Sequence, residues 1–202
     1  MKGKSVFAIV VVFAIGLTAL VVFALYGQNN SSFNGTLIDP PIKAFDFSLP
    51  DSQGTIFRLG EQVDHVVLLF FGYTHCPDVC PTTLAEYKVI YNDLGDKADQ
   101  VRFVYITVDP ERDTPEIVAK YAQAFNPDFI GLSGQEKDLI PIYNSYGVFR
   151  EKQDVQTADD YLMGHTSIIY LIDKHGDWRL TFPFEMGPLE MVEDVLLLLD
   201  EK

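Results

Sequence analysis

Three features of this 202-residue sequence predict an α/β fold with a mixed central sheet flanked by helices. Two continuous apolar runs, VVLLFFG at Val66–Gly72 and VRFVYITV at Val101–Val108, have the length and side-chain character of strands buried on both faces. Segments with helical spacing alternate with them. The chain then closes with two more strand-like segments and an amphipathic helix, which adds antiparallel pairing to the parallel pairing of the first two runs.

The elements follow in order. Ala44–Ser48 and Thr55–Leu59 flank LPDSQG, a turn-rich connection, and predict a hairpin. After the strand Val66–Gly72, Pro81 can sit in a first helical turn, and Leu84, Tyr87, Val89–Tyr91 and Leu94 keep helical spacing up to Gly95. DTPE opens the next helix, Pro115–Phe125, with Asp113 or Thr114 as its cap. A short FIGL segment, a helix near Gln135–Tyr146 and a strand at Val148–Glu151 come next. Ser167–Ile172 and Trp178–Phe182 form a hairpin across DKHGD, and Pro188–Asp200 is the closing helix. Both cysteines of the chain stand in GYTHCPDVC, between the first buried strand and its helix. A dithiol loop in that place gives a thioredoxin-like plan.

The N-terminus is of another kind. Val6–Tyr26 reads VFAIVVVFAIGLTALVVFALY, and as a helix its 21 residues would rise about 31 Å, enough to cross a hydrocarbon core. Lys2 and Lys4 precede it and GQNNSSFNG follows, so the positive-inside rule leaves the N-terminus in the cytoplasm. Residues 1–27 are therefore expected to be a cytoplasmic stub and a single-pass transmembrane helix, 28–38 a flexible tether, and 39–202 a folded domain outside the cytoplasm, held at the cell membrane. A cleaved signal peptide is the alternative and leaves the domain on the same side. Net charge is −14; setting Lys2 and Lys4 aside from the 15 basic residues leaves 13 against 29 acids, or −16. Such a body repels nucleic acid, which is excluded as a partner, and favours cations.

A helix N-terminus beside two thiols promotes their ionisation, and the thiolate is both the nucleophile of disulfide exchange and the metal-binding form. A structural disulfide closing so small a loop would remove little unfolded-state entropy. Two sulfurs alone make a poor metal site, so a third ligand is sought among four histidines. Thiolates and imidazole together suit copper, as Cu(I) or Cu(II), better than a four-ligand zinc site. His65 opens the buried strand at its far end, His175 sits in a surface turn, and His75 adjoins Cys76 but points to the opposite side in extended chain. His165, just before SIIYLI, enters a strand expected beside the dithiol strand; it is either a ligand or a packed or exposed histidine. Asp78, Asp109, Asp113, Met163 and Met186 are weaker candidates, with turn, capping and core roles as the alternatives. Tyr73 and Phe71 are expected to pack around the loop. Tyr73 also stands three residues before Cys76, where a peroxidase of the peroxiredoxin type wants threonine.

GYTHCPDVCPTTL (72–84), VDPERDTPE (108–116) and GHTSIIYLID (164–173), with the anchor and tether, resemble the Sco/SenC family of membrane-anchored copper chaperones. The resemblance implies a thioredoxin fold and a copper site made by Cys76, Cys80 and His165. It implies delivery of copper to the binuclear centre of cytochrome c oxidase subunit II, with an external thiol reductant and a copper donor as further partners. The alternative in the same setting is a thiol-disulfide oxidoreductase, with Cys76 and Cys80 as its redox pair, that reduces the cysteines of that subunit. Many relatives carry aspartate directly before the histidine, where this chain has Gly164.

Overall fold

A computed structural model describes residues 33–157 and 160–201, together with Thr18. The expected anchor at Val6–Tyr26 lies outside the described residues; among those described, no helix is long and apolar enough to cross a membrane. Phe33–Lys202 forms one compact unit.

The strands are β1 (Thr36–Lys43), β2 (Ser48–Pro50), β3 (Ile56–Arg58), β4 (Val66–Gly72), β5 (Val101–Thr107), β6 (Ile130–Leu132), β7 (Arg150–Thr157), β8 (Asp160–His165), β9 (Ile168–Ile172) and β10 (Asp177–Pro183). The helices are α1 (Val79–Leu94), α2 (Pro115–Gln123), α3 (Glu136–Ser145) and α4 (Pro188–Asp200). Six strands build the central sheet in the order β1-β10-β9-β4-β5-β6. β4, β5 and β6 run parallel, while β9, β10 and β1 add on antiparallel. This is the mixed, thioredoxin-like arrangement that the alternating strands and helices predict.

β4 is the centre. All seven of its residues are buried, as its unbroken apolar run requires. Alternation sends its side chains to two different layers. Phe70 meets Tyr105 of β5 on one face, where Tyr87 of α1 packs on Phe103 and Tyr121 of α2 packs on Tyr105. Phe71 goes to the other face, against Tyr143 of α3, Tyr146 and Tyr170. Phe71 is thus a core residue of the layer opposite Phe70, not part of the packing around the cysteine loop; Tyr73 does belong there. In α2, Thr114 is the cap: its Oγ1 accepts the Ile117 N–H at 3.4 Å.

Three segments differ from expectation. β1 starts at Thr36, inside the stretch read as tether, and carries Pro40 and Pro41. It is an edge strand, the place in a sheet that tolerates missing N–H groups, and DPP had concealed it. The hairpin β2–β3 is shorter than predicted and sits closer to its turn, where the Asp51 carboxylate accepts the N–H groups of Gln53 and Thr55 at 2.8 Å each. The strand predicted at Val148–Glu151 is β7, which begins later, runs on to Thr157 and pairs with β8 in a separate ribbon. Its sequence is polar because the ribbon lies outside the central sheet, so no apolar pattern marked it.

The domain's start is tied down by one acid. Asp194 of α4 is fully buried, and its carboxylate accepts the N–H groups of Asn34 at 2.9 Å and Gly35 at 2.8 Å. Asp194→Ala would strand these donors and is expected to cost about 1–3 kcal/mol. Chemical denaturation should show a lower midpoint at an unchanged slope.

Candidate metal centre

The cysteine loop leaves β4 at Gly72 and enters α1 at Val79, so Cys80 lies in the first helical turn. Cys80 is fully buried, Cys76 half-buried, and both are free thiols. The Cys80 N–H, one of the donors a helix start leaves unused, points at the Cys76 sulfur at 3.4 Å. From the other side His165, at the end of β8, brings Nε2 to 3.5 Å from the Cys80 sulfur. The two sulfurs and the imidazole all lie within 4.8 Å of one another, a geometry one ion can bridge.

The imidazole is held in the orientation a ligand needs. Its Nδ1 stands 2.9 Å from the Thr166 carbonyl oxygen, which can only accept, so Nδ1 carries the proton and Nε2 offers its lone pair to the sulfurs. Phe70 and Tyr73 clamp the ring edge-on at 6.1 and 5.7 Å. Cys76 is a thiolate well below the ordinary thiol range. The largest cause is the Cys80 thiol donating to it, opposed by burial and supported by the backbone N–H groups of Cys80 and Asp78. Cys80 is pushed up, first by burial and then by its thiolate neighbour. The pair thus holds one proton, on the buried sulfur.

Two buried aspartates build the frame, a role that capping and turn formation in the sequence did not convey. The Asp113 carboxylate accepts the Thr74 N–H at 2.9 Å, the Thr74 hydroxyl, and the Thr107 hydroxyl at 2.7 Å. It therefore locks the cysteine loop to the end of β5. The Asp109 carboxylate accepts Arg112 Nε–H at 2.6 Å and the Tyr161 hydroxyl at 2.7 Å, while Arg112 also donates to the Tyr161 carbonyl at 3.0 Å. The Arg112 guanidinium stacks on the Tyr161 ring at 3.6 Å. Tyr161 belongs to β8, the strand that ends in His165, so Asp109 positions the histidine as Asp113 positions the cysteines. Their spacing in VDPERDTPE is the one trace of this in the sequence.

The remaining candidates fall elsewhere. His75 is exposed and pairs with Thr74 Oγ1 at 3.1 Å; it is not in the Cys/His group. His65 lies at the opposite end of β4 with Nε2 facing Arg102 at 2.7 Å, and His175 is exposed in its turn. Met163 is buried in the core and Met186 packs against it. Asp78 is exposed and gives α1 only its backbone carbonyl, to Thr82. Gly164 faces Glu151 across the ribbon, and a Cβ there would stand 2.4 Å from Gln153 Nε2, the movable end of a long side chain.

A thioredoxin-like domain whose helix N-terminus and outlying β-ribbon present two sulfurs and an imidazole defines a soft-metal-binding class of protein. The SCO1/SenC family model matches residues 37–200, and the chain belongs to that family. It is 36% identical over 149 residues to the SCO2-like protein of Rickettsia felis, covering 73% of each chain. Among solved structures, apo Sco1 of Thermus thermophilus is similar with a TM-score of 0.77 at 38% identity, over 84% of this chain and 99% of that one. ScoI of Bradyrhizobium japonicum with copper bound gives 0.71 at 37% identity, over 77% and 98%.

Two outcomes are expected. Because its thiolate persists far below the ordinary thiol range, Cys76 should be alkylated by iodoacetamide at about pH 6, where an ordinary thiol reacts slowly, and Cys80 should not; peptide mass spectrometry reads the difference. Asp113→Ala removes the acceptor of three hydrogen bonds from a buried site and should lower stability by about 2–4 kcal/mol, measured by thermal unfolding.

Proposed function

We propose that this chain is a copper chaperone for cytochrome c oxidase, holding Cu(I) or Cu(II) between the Cys76 and Cys80 thiolates and the His165 imidazole. It passes the ion to the binuclear copper site of oxidase subunit II. The observation that carries this reading is the convergence of the three donors within 4.8 Å, in a family whose Bradyrhizobium and yeast members have been seen with copper bound. Two sulfurs and one nitrogen are soft donors that favour copper over calcium or magnesium. Loading displaces the proton that Cys80 retains and releases it to solvent. Unloading is ligand exchange, in which the recipient's Cys and His groups replace these three one by one. Oxidation of the pair to a disulfide would remove both sulfur ligands, so an external thiol reductant keeps the site open, and a copper donor fills it. In this reading residues 1–27 hold the chain in the cell membrane, 28–32 form the tether, and the domain from Phe33 onward works on the extracytoplasmic side.

One observation favours a second activity at the same atoms. Cys76 is the accessible thiolate and Cys80 the buried, protonated partner, which is the division of labour of disulfide reduction. Cys76 would attack a disulfide of subunit II and expel one of its sulfurs as thiolate. Cys80, losing its proton, would then attack Cys76 and release the second. The subunit gains two electrons and this pair ends as a disulfide.

Titration of the reduced full-length protein in detergent with Cu(I), and separately with Cu(II), tests the first reading. The unmutated chain should take up one copper with a sulfur-to-Cu(II) charge-transfer band. His165→Ala should lose affinity by about 100-fold or more, since even the outer partners of ligands are worth 10–100-fold. It should retain exchange with a small disulfide. Failure of the fully reduced, unmutated chain to bind copper would leave the oxidoreductase reading in its place.

A further inference from the structure

One buried group next to the sulfurs is used by none of this chemistry. Tyr105, in β5, is 1% exposed, with its ring between Phe70 and Tyr121 at 5.9 and 5.8 Å. Among the described residues its hydroxyl has no hydrogen-bond partner, a costly condition for a buried donor. The hydroxyl points to the cysteines: a Cβ built on Gly72 would lie 2.7 Å from the Cys80 sulfur and 2.7 Å from Tyr105 Oη. Glycine at 72 therefore leaves the space between these two atoms free of any side chain.

We propose that Tyr105 is a positioning residue for the metal site, whose O–H donates a hydrogen bond to the Cys80 sulfur when that sulfur holds the metal. This rests on the copper reading above. A neutral thiol is a weak acceptor and a thiolate a strong one. In the metal-free protein the phenol has no hydrogen-bond partner within reach among the described residues. A metal-bound cysteine sulfur is an anionic acceptor, and with it the orphan is satisfied. Burial, above all, and the neighbouring Cys80 sulfur keep the phenol protonated, so it can only donate. The interaction favours the loaded form and biases the site toward holding its ion.

The test is Tyr105→Phe in the full-length reduced protein, with Tyr87→Phe as comparison. Tyr87 is a second buried, partnerless hydroxyl, but its ring packs on Phe103 and Phe129. Tyr105→Phe should leave the metal-free unfolding temperature equal or higher, weaken Cu(I) binding by about tenfold, and move the sulfur-to-Cu(II) band to lower energy, because the thiolate loses a donor. Tyr87→Phe should change neither affinity nor band. Unaltered affinity and band in Tyr105→Phe would overturn the inference while leaving the copper reading intact. A fall in affinity accompanied by a lower metal-free unfolding temperature would assign Tyr105 a merely structural role and also overturn it. No copper uptake by the unmutated chain would overturn the copper reading first, and this inference with it.

Discussion

Everything at the site depends on the Asp113 carboxylate keeping its fully buried place at the root of the cysteine loop. It does so because three donors converge on it, and two of them belong to Thr74, in the cysteine loop itself. Thr107 links this acid to its neighbour: its hydroxyl donates to Asp113 and accepts the Asp109 N–H at 2.9 Å. Such chains polarise one another and strengthen every member. Asp109 then reaches through Arg112 and Tyr161 to the strand that carries His165. Cys80 and His165 stand 85 residues apart in sequence, yet both are referenced to one turn after β5. That turn is the rigid body from which the donor set is measured out.

The electrostatics follow from this placement. An acidic chain with a formal charge of −14 would oppose a thiolate at its surface. The loop answers locally, with a helix N-terminus and two backbone N–H groups aimed at Cys76. At the second sulfur burial, and after it the thiolate neighbour, outweigh the smaller help from the Tyr73 backbone, so it keeps its proton until something stronger displaces it. One ready ligand and one latent ligand result from a difference of a single helical turn in depth.

Much of this was legible in the sequence, and the rest was hidden for physical reasons. β4, β5, β9 and α4 announced themselves because their apolar pattern is dictated by burial. The Cys/His set was legible as residue types; its closure around one point was implied by resemblance rather than by spacing, since no local rule places residue 165 beside residue 80. β1 was hidden by prolines that an edge strand tolerates, and the β7–β8 ribbon by a polar sequence that no core constrains. Asp109 and Asp113 read as surface turn acids because nothing local reveals that Thr74 and Tyr161 fold onto them. Tyr105 read as one more aromatic of a buried strand, for its direction depends on Gly72 lacking a side chain.

The prolines of β1 carry a consequence for assembly. Pro40 and Pro41 delete two amide donors from one rim of the sheet, and a register shift between Leu37 and Ile42 breaks its regularity. The opposite rim, β6, offers only three residues. Neither border of the central sheet can template an incoming extended chain, so strand addition to that sheet is closed, and so is runaway stacking of one such sheet on the next. Recognition is left to loops and side chains, a grip that lets go readily.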